Sequence, residues 1–204
     1  MKYGRLLLWG ALVCACFFVP VNLFAQGSGF NGAQSWQACR IEAGVGGYYQ
    51  FTKLRSSNLH VPLMDNDRGL TGYAGVWLTP WLMLGGEYGQ SLSRLEQSTL
   101  KNLDLKEAGG IIKINFTPDT FPRQYIILGA GSKLWEYTPY WGDKNKGHAV
   151  YYRFAFGTDA EFWDFLVIGA QWRLSYVPDQ KMGAHLERTS KWDNALLLYL
   201  ALRL

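Results

Sequence analysis

Lys191 to Leu204, the last stretch of the chain, reads KWDNALLLYLALRL. Taking every second residue puts Trp192, Leu196, Leu198, Leu200, Leu202 and Leu204 on one parity, and Asp193, Ala195, Tyr199 and Arg203, with Leu197, on the other. Successive side chains of a strand point to opposite faces, so as a strand this stretch is apolar on one face and mixed on the other. The pattern alone suits a soluble sandwich equally well. Its finish on the apolar parity, without a charged tail, tips the expectation toward an apolar face that meets something other than water.

Working back to the start, Lys2 and Arg5 followed by the apolar run Leu6 to Val13 read as a secretion signal, with Asn22-Leu-Phe-Ala25 as the cleavage site before Gln26. The expectation is an exported protein with a signal over residues 1–25. Val13-Cys-Ala-Cys16 loosely matches a lipidation box, but the FFVPVNLF that follows Cys16 is apolar where a lipoprotein carries a polar tether, and the run is short for a membrane-spanning helix. With Cys14 and Cys16 leaving in the signal, Cys39 stands alone and forms no internal bridge. Gln26 to Ala38, rich in Gly, Ser and Gln, reads as a flexible periplasmic lead-in over 26–38.

Composition points to sheet. Charged residues make up only 18% of the chain and aromatics 16%, with 23 glycines, yet past the signal no run is long and apolar enough for a membrane helix. The net charge of +4 is scattered without a basic run, so nucleic acid is not an expected partner. Eight alternating segments are expected near Cys39–Lys53, Gly69–Thr79, Trp81–Gln97, Leu103–Thr117, Tyr125–Tyr137, His148–Ala160, Asp164–Val177 and Lys191–Leu204. Short turns at Thr79-Pro80-Trp81, Pro118 to Gln124 and Glu161 to Trp163 alternate with connections that are longer on the whole, Leu54 to Arg68, Ser98 to Asn102, Thr138 to Gly147 and Pro178 to Ser190.

The apolar parity could point inward, as in a soluble ligand-binding barrel, or outward into lipid. In the first segment Ile41, Ala43, Val45, Tyr49 and Phe51 oppose Arg40, Glu42, Gly44, Gly46, Tyr48 and Gln50. In the sixth, Val150, Tyr152, Phe154 and Phe156 oppose Tyr151, Arg153, Ala155, Gly157 and Asp159; in the seventh, Leu166, Ile168, Ala170, Trp172, Leu174 and Tyr176 oppose Gly169, Gln171, Arg173 and Ser175. A solvent face would carry many Lys and Glu and few Gly. This polar face is rich in Gly and sparse in charge, which suits a crowded lumen where small residues make room for large ones. Trp81, Tyr152, Trp163, Tyr176 and Trp192 fall near segment ends, where an interfacial girdle places aromatics. Two places break the pattern: Ser132 sits on the lipid parity, and Leu103 and Leu105 have the opposite parity from Ile112, Ile114 and Phe116, which implies a bulge near Glu107 to Gly110 or an extended loop.

The stretch Gly75-Val-Trp-Leu-Thr-Pro-Trp-Leu-Met-Leu-Gly-Gly-Glu-Tyr88 resembles the strand, turn, strand signature of small OmpA-like and OmpW-like barrels, and the terminal strand resembles the closing strand of bacterial outer-membrane barrels, with Leu204 where those usually end in an aromatic residue. The resemblance covers 39–204 and implies an all-β, eight-stranded antiparallel up-and-down transmembrane barrel of the bacterial outer membrane. It further implies outer-membrane lipid as surroundings and the barrel-assembly machinery as a partner through the C-terminal strand. It concerns fold and not function, since such barrels serve as structural proteins, small channels and enzymes.

A lipid-modifying enzyme on this fold needs a nucleophile with a base in reach. The histidines, His60, His148 and His185, fall in or beside loops; His148 and His185-x-Glu187 could in principle join Ser175 or Ser190, but the expectation is solvated loop histidines and no catalytic set. No spacing groups two His with a carboxylate, so neither a metal nor another cofactor is expected. By parity the lumen holds the bases Arg40, Lys113, Lys133, Arg153, Arg173 and Arg203 and the acids Glu42, Glu87 and Asp159, with Glu107 and Asp193 as candidates near the top. Buried charges must pair or reach water, and eight strands enclose a lumen that side chains can fill. The expectation is therefore a monomer with a structural or surface-interaction role and at most small-solute permeation. Its rivals are an outer-leaflet lipid-modifying enzyme and a soluble exported ligand-binding barrel. Glu42 is expected to serve both Arg203 and Arg40, and Arg153 to lie level with Arg173 and near Lys133, neutralised by Glu87 and Glu107 or else left as a hydrated positive constriction.

Overall fold

A computed structural model describes residues 40–51, 54–56, 62–64, 66–92, 100–139, 143–163, 165–179, 181 and 186–204. The expected signal, the lead-in, Cys39, His60 and His185 lie outside the described residues. The strands in chain order are β1 (Arg40–Phe51), β2 (Leu54–Ser56), β3 (Pro62–Met64), β4 (Asp67–Thr79), β5 (Leu82–Ser91), β6 (Leu100–Asn115), β7 (Arg123–Pro139), β8 (Asn145–Phe162), β9 (Leu166–Tyr176), β10 (Leu186–Arg188) and β11 (Trp192–Arg203). Eight of them, in the order β1-β11-β9-β8-β7-β6-β5-β4, close into an antiparallel barrel. Closure matters because no water inside a bilayer can satisfy an open sheet edge.

The register fixes the tilt. Following cross-strand partners from Tyr152 through Ala130, Gly110, Gly86, Ala74, Ala43, Leu202 and Leu166 leads once round the barrel to Phe162, ten residues further along the strand of departure. With a rise of ~3.3 Å per residue and strands ~4.8 Å apart, that stagger tilts the strands by roughly 40°. The ten residues from Tyr152 to Phe162 then climb about 25 Å along the barrel axis, the height of an outer-membrane apolar band.

The apolar parity points outward. Val45 is 69% exposed, Leu198 72% and Leu200 52%, and with Ile41, Leu70, Leu84, Ile112, Leu128, Phe154 and Ile168 they form a belt that in water would be an untenable apolar surface. Aromatics edge the belt at both ends. Tyr152 pairs in register with Tyr176 and Tyr176 with Trp192, whose ring centroid lies 4.8 Å from that of Tyr176. At the turn end Trp81, Phe116, Phe121, Phe162, Trp163 and Phe165 are exposed, with Phe121 edge-on to Phe162 and Trp163 stacked on Phe165. Trp163 takes the left-handed conformation (φ 52°) in the turn that Phe165 N–H closes on Phe162 C=O. A bulky residue accepts that conformation only at a cost of about 1–2 kcal/mol.

Two expectations are corrected. No bulge interrupts β6 at Glu107 to Gly110: pairing with β5 and β7 runs unbroken from Lys106 to Ile114, and the only register shift with β7 lies between Leu100 and Asn102. Leu103 and Leu105 face inward, like Glu107 and Lys113, but above the apolar belt, where they pack on the buried Leu54, Trp135, Tyr137, Ala149, Tyr151 and Val177. The inward face turns apolar there because those side chains form a lid over the lumen. The connections around β2, β3 and β10 are likewise more than irregular loops, since these three strands form a second sheet in the order β10-β2-β3. Strands β7 and β8 also run further than expected, to Pro139 and from Asn145.

Candidate functional site

Below the lid the lumen is filled by two tiers of ion pairs. Alternation directs the polar parity of every barrel strand inward, so each inward acid or base meets side chains from the far wall instead of water.

The lower tier centres on Glu42 of β1, which is fully buried. Its carboxylate accepts from Arg203 Nε (2.9 Å) and Nη2 (2.5 Å), Lys113 Nζ (3.1 Å), the Tyr73 hydroxyl (2.8 Å) and the Trp77 indole N–H (3.0 Å). Lys113 also reaches Asp159 (2.7 Å), which accepts from Arg123 Nε (2.8 Å) and the Tyr199 hydroxyl (3.1 Å). Glu161 accepts from Arg203 Nη1 (2.5 Å) and from Arg123, and lies 3.6 Å from Arg40 at the turn-side rim. The Lys113 ammonium sits over the Tyr125 ring, 4.3 Å from its centroid, and the Arg203 guanidinium over Trp77 at 4.8 Å. The buried bases Lys113, Arg123 and Arg203 answer the buried acids Glu42 and Asp159 and the half-buried Glu161.

In the upper tier Arg153 clamps two carboxylates. Its Nη1 donates to Glu87, its Nη2 to both oxygens of Glu107 at 2.8 Å, and its Nε to Ser175 (3.1 Å). Glu87 also accepts from the Tyr151 hydroxyl (3.0 Å) and faces Arg173 at 3.4 Å. Lys133 meets Asp193 at 3.0 Å and Glu107 at 3.6 Å, and Arg188 of β10 also contacts Asp193. Asp67 accepts from Ser91 (2.5 Å) and Tyr48 (3.4 Å). Between the tiers lies a cavity of about 10 Å³, counted as space open to a water's centre, lined by Glu87, Lys113, Arg173 and Tyr199 among others. That is room for about one water.

Every base and acid named from parity therefore faces the lumen, with Arg40 half-exposed at its rim. Two details of the expected pairing are corrected, and between its two outcomes for the upper charges the structure favours the neutralised one. Arg40 meets Glu161 and not Glu42, because Arg203, Lys113, Tyr73 and Trp77 already occupy the Glu42 carboxylate. Arg153 is not level with Arg173: its partner across β8 and β9 is Ser175, and Arg173 pairs with Ala155, one inward position lower. The alternative of an under-compensated positive constriction gives way to neutralisation, since Glu87 and Glu107 answer Arg153 and Arg173. Sequence reasoning missed Arg123, Glu161, Asp67 and Arg188. For Glu161 and Arg123 the sequence carries the signal, because they share the inward parity of Asp159 and Tyr125, although both fall in the stretches expected as turns. His148 lies exposed on the outer face of β8, Ser175 is engaged by Arg153, and Ser190 accepts from the Trp192 N–H.

The fold is shared by solved outer-membrane barrels. Ail, the attachment invasion locus protein of Yersinia pestis, solved in complex with the heparin analogue sucrose octasulfate, matches with a TM-score of 0.57 at 16% identity, over 82% of this chain and 100% of its own. Neisserial surface protein A matches at 0.56 and 14% identity, over 79% of this chain and 96% of its own. The outer membrane protein OprG of Pseudomonas aeruginosa matches at 0.55 and 8% identity, over 84% and 98%. At these identities the likeness concerns the fold alone. No protein-family model and no curated protein matches the chain.

Proposed function

We propose that this chain is an integral protein of the bacterial outer membrane that anchors and displays its β10-β2-β3 sheet and the projecting ends of β6, β7 and β8, and does not act as a channel of any width or as an enzyme. The observation that carries this reading is the filled lumen: among the described residues two tiers of paired charges lie under an apolar lid. The exposed belt between two aromatic edges supports a lipid-embedded monomer, since every barrel strand already has both neighbours. The apolar outward parity of β11 supports recognition of that strand by the barrel-assembly machinery. The test is fractionation followed by recording. The protein is expected in outer-membrane fractions, with heat-modifiable migration, and reconstituted into planar bilayers it is expected to show no steady conductance above the lipid background. Sustained ion-selective openings of the unmodified barrel overturn the reading.

A further inference from the structure

On the lid side β8 outlasts one of its two neighbours. β9 pairs with it only as far as Tyr152, opposite Tyr176; above that level β9 follows β11 alone, with Val177 N–H donating to Lys191 C=O (2.7 Å). β7 stays paired with β8 without a break from Asp159 up to Asn145. The upper stretch of β8, from Asn145 to Tyr151, is therefore a sheet edge, with β7 on one side and no strand on the other among the described residues. It begins just above Tyr152, in the aromatic edge of the belt, and so stands outside the lipid.

The bond at Val177 also tells which backbone groups face the gap. In an antiparallel ladder successive residues of a strand bond to alternate sides. Val177 bonds toward β11, so Tyr176 bonds toward β8 and Tyr152 toward β9. Two residues at a time up β8, Val150, His148 and Lys146 then aim their N–H and C=O groups into the gap, and the side chains of all three are exposed. β6 forms the opposite edge of the projection, since β5 accompanies it only as far as Lys106, opposite Gln90. That edge is blunted, because its register with β7 slips between Leu100 and Asn102, and such an irregularity bends a strand away from regular pairing. β8 carries no slip against β7.

Charge selects the occupant. Lys146 and His148 take part in no ion pair among the described residues, because Glu136, opposite Lys146, is held by Lys144 at 2.6 Å and Asp104 by Lys106 at 2.7 Å. An edge lysine disfavours pairing with a like edge, which argues against a second copy of this chain and for an acidic strand. We propose that this edge takes up an extended acidic peptide segment of another protein as an added strand. Its backbone bonds to the N–H and C=O groups of Lys146, His148 and Val150, and its outward side chains set carboxylates beside Lys146 and His148. That role rests on the display of these strand ends proposed above.

The test is fluorescence anisotropy of a labelled octapeptide alternating glutamate and valine, titrated with the folded barrel in nonionic micelles. Saturable binding is expected, weaker for the same peptide with lysine in place of glutamate, and lost when the glutamate backbone nitrogens are methylated. His148→Pro takes one N–H out of the gap without removing a bond to β7 and should weaken binding about tenfold. Lys146→Glu should weaken it roughly fivefold and improve binding of the lysine peptide. No saturable binding overturns the proposal, as does equal binding of the lysine peptide, of the methylated peptide or by His148→Pro. Self-association of the barrel that His148→Pro abolishes, without peptide binding, gives the edge to a second copy and also overturns it. Should His148→Pro lose heat-modifiable migration, the methylated peptide on the unmodified barrel decides. A barrel that is heat-modifiable and silent in bilayers but takes up no peptide overturns this proposal alone and leaves the anchoring role standing.

Discussion

Glu42 and Arg203 stand directly opposite each other in the pairing of β1 with β11 that closes the barrel, and the Arg203 guanidinium donates twice to one Glu42 oxygen. Two residues 161 positions apart thus join the first and last barrel strands inside the lumen as well as along the backbone. Removing one member of a buried ion pair leaves the other charge uncompensated, at a cost of about 3–5 kcal/mol. Glu42→Gln is therefore expected to lower the unfolding midpoint in detergent markedly. Glu187→Gln, in the three-residue strand β10, should cost well under half as much, and equal losses would show that the closure pair contributes little.

Glycine holds a different part of the lumen together. The Tyr199 ring lies so close over Gly169 that a methyl group there would come within 2.3 Å of it, and Tyr125 crowds Gly157 in the same manner at 2.4 Å. Gly86, on the lipid side, has only the Gly109 carbonyl at 3.5 Å. Gly169→Ala must displace a buried tyrosine that bonds Asp159 and should cost about 1–3 kcal/mol. Gly86→Ala should be neutral or slightly stabilising, because it restricts the unfolded chain without a clash. Urea titration of the two variants side by side gives the comparison, and a Gly169→Ala variant as stable as Gly86→Ala would refute the packing argument.

The barrel was legible because strand alternation is local. Ile41 to Phe51 or Leu166 to Tyr176 declares its two faces without reference to any neighbour, and adding turn lengths yields strand count and topology. Leu103 and Leu105 break the parity rule because the inward face is polar within the membrane and apolar under the lid, a change that alternation alone does not carry. The partners of each lumen charge were not legible, since Lys113 meets Glu42 and Asp159 across the barrel at separations of 71 and 46 residues that only the stagger sets. Nor could the pairing of Leu54–Ser56 with Leu186–Arg188 be read, for three residues carry no periodicity.

The alternation of short turns and longer connections predicts which end of the barrel faces the cell exterior. Asn145 and Lys181 lie on the side of the lid, and Asp119 lies in the turn between β6 and β7 at the opposite end. Cysteines placed at Asn145 and Lys181 should react with an impermeant maleimide on intact cells, and one at Asp119 only after the outer membrane is permeabilised. Reaction of the Asp119 cysteine alone on intact cells would invert the orientation.

The two tiers act as seals in series, and that arrangement makes a prediction which neither tier makes alone. A pore conducts only where every constriction along it is open. Breaking the upper clamp with Arg153→Ala leaves Glu87 and Glu107 to the weaker contacts of Arg173 and Lys133, one positive charge short, but keeps Lys113 bridging Glu42 and Asp159 below. Breaking the lower bridge with Lys113→Ala leaves the Arg153 clamp intact. Each single variant is expected to lose about 3–5 kcal/mol of stability and to stay as silent in bilayers as the unmodified barrel. The double variant removes a base from each tier, leaves the carboxylates at both levels under-compensated by one charge and draws water in. It is expected to open small conductances that favour cations, because the surplus lumen charge is then negative. Openings in either single variant would show that one tier alone seals the lumen, and anion preference in the double variant would contradict the charge count.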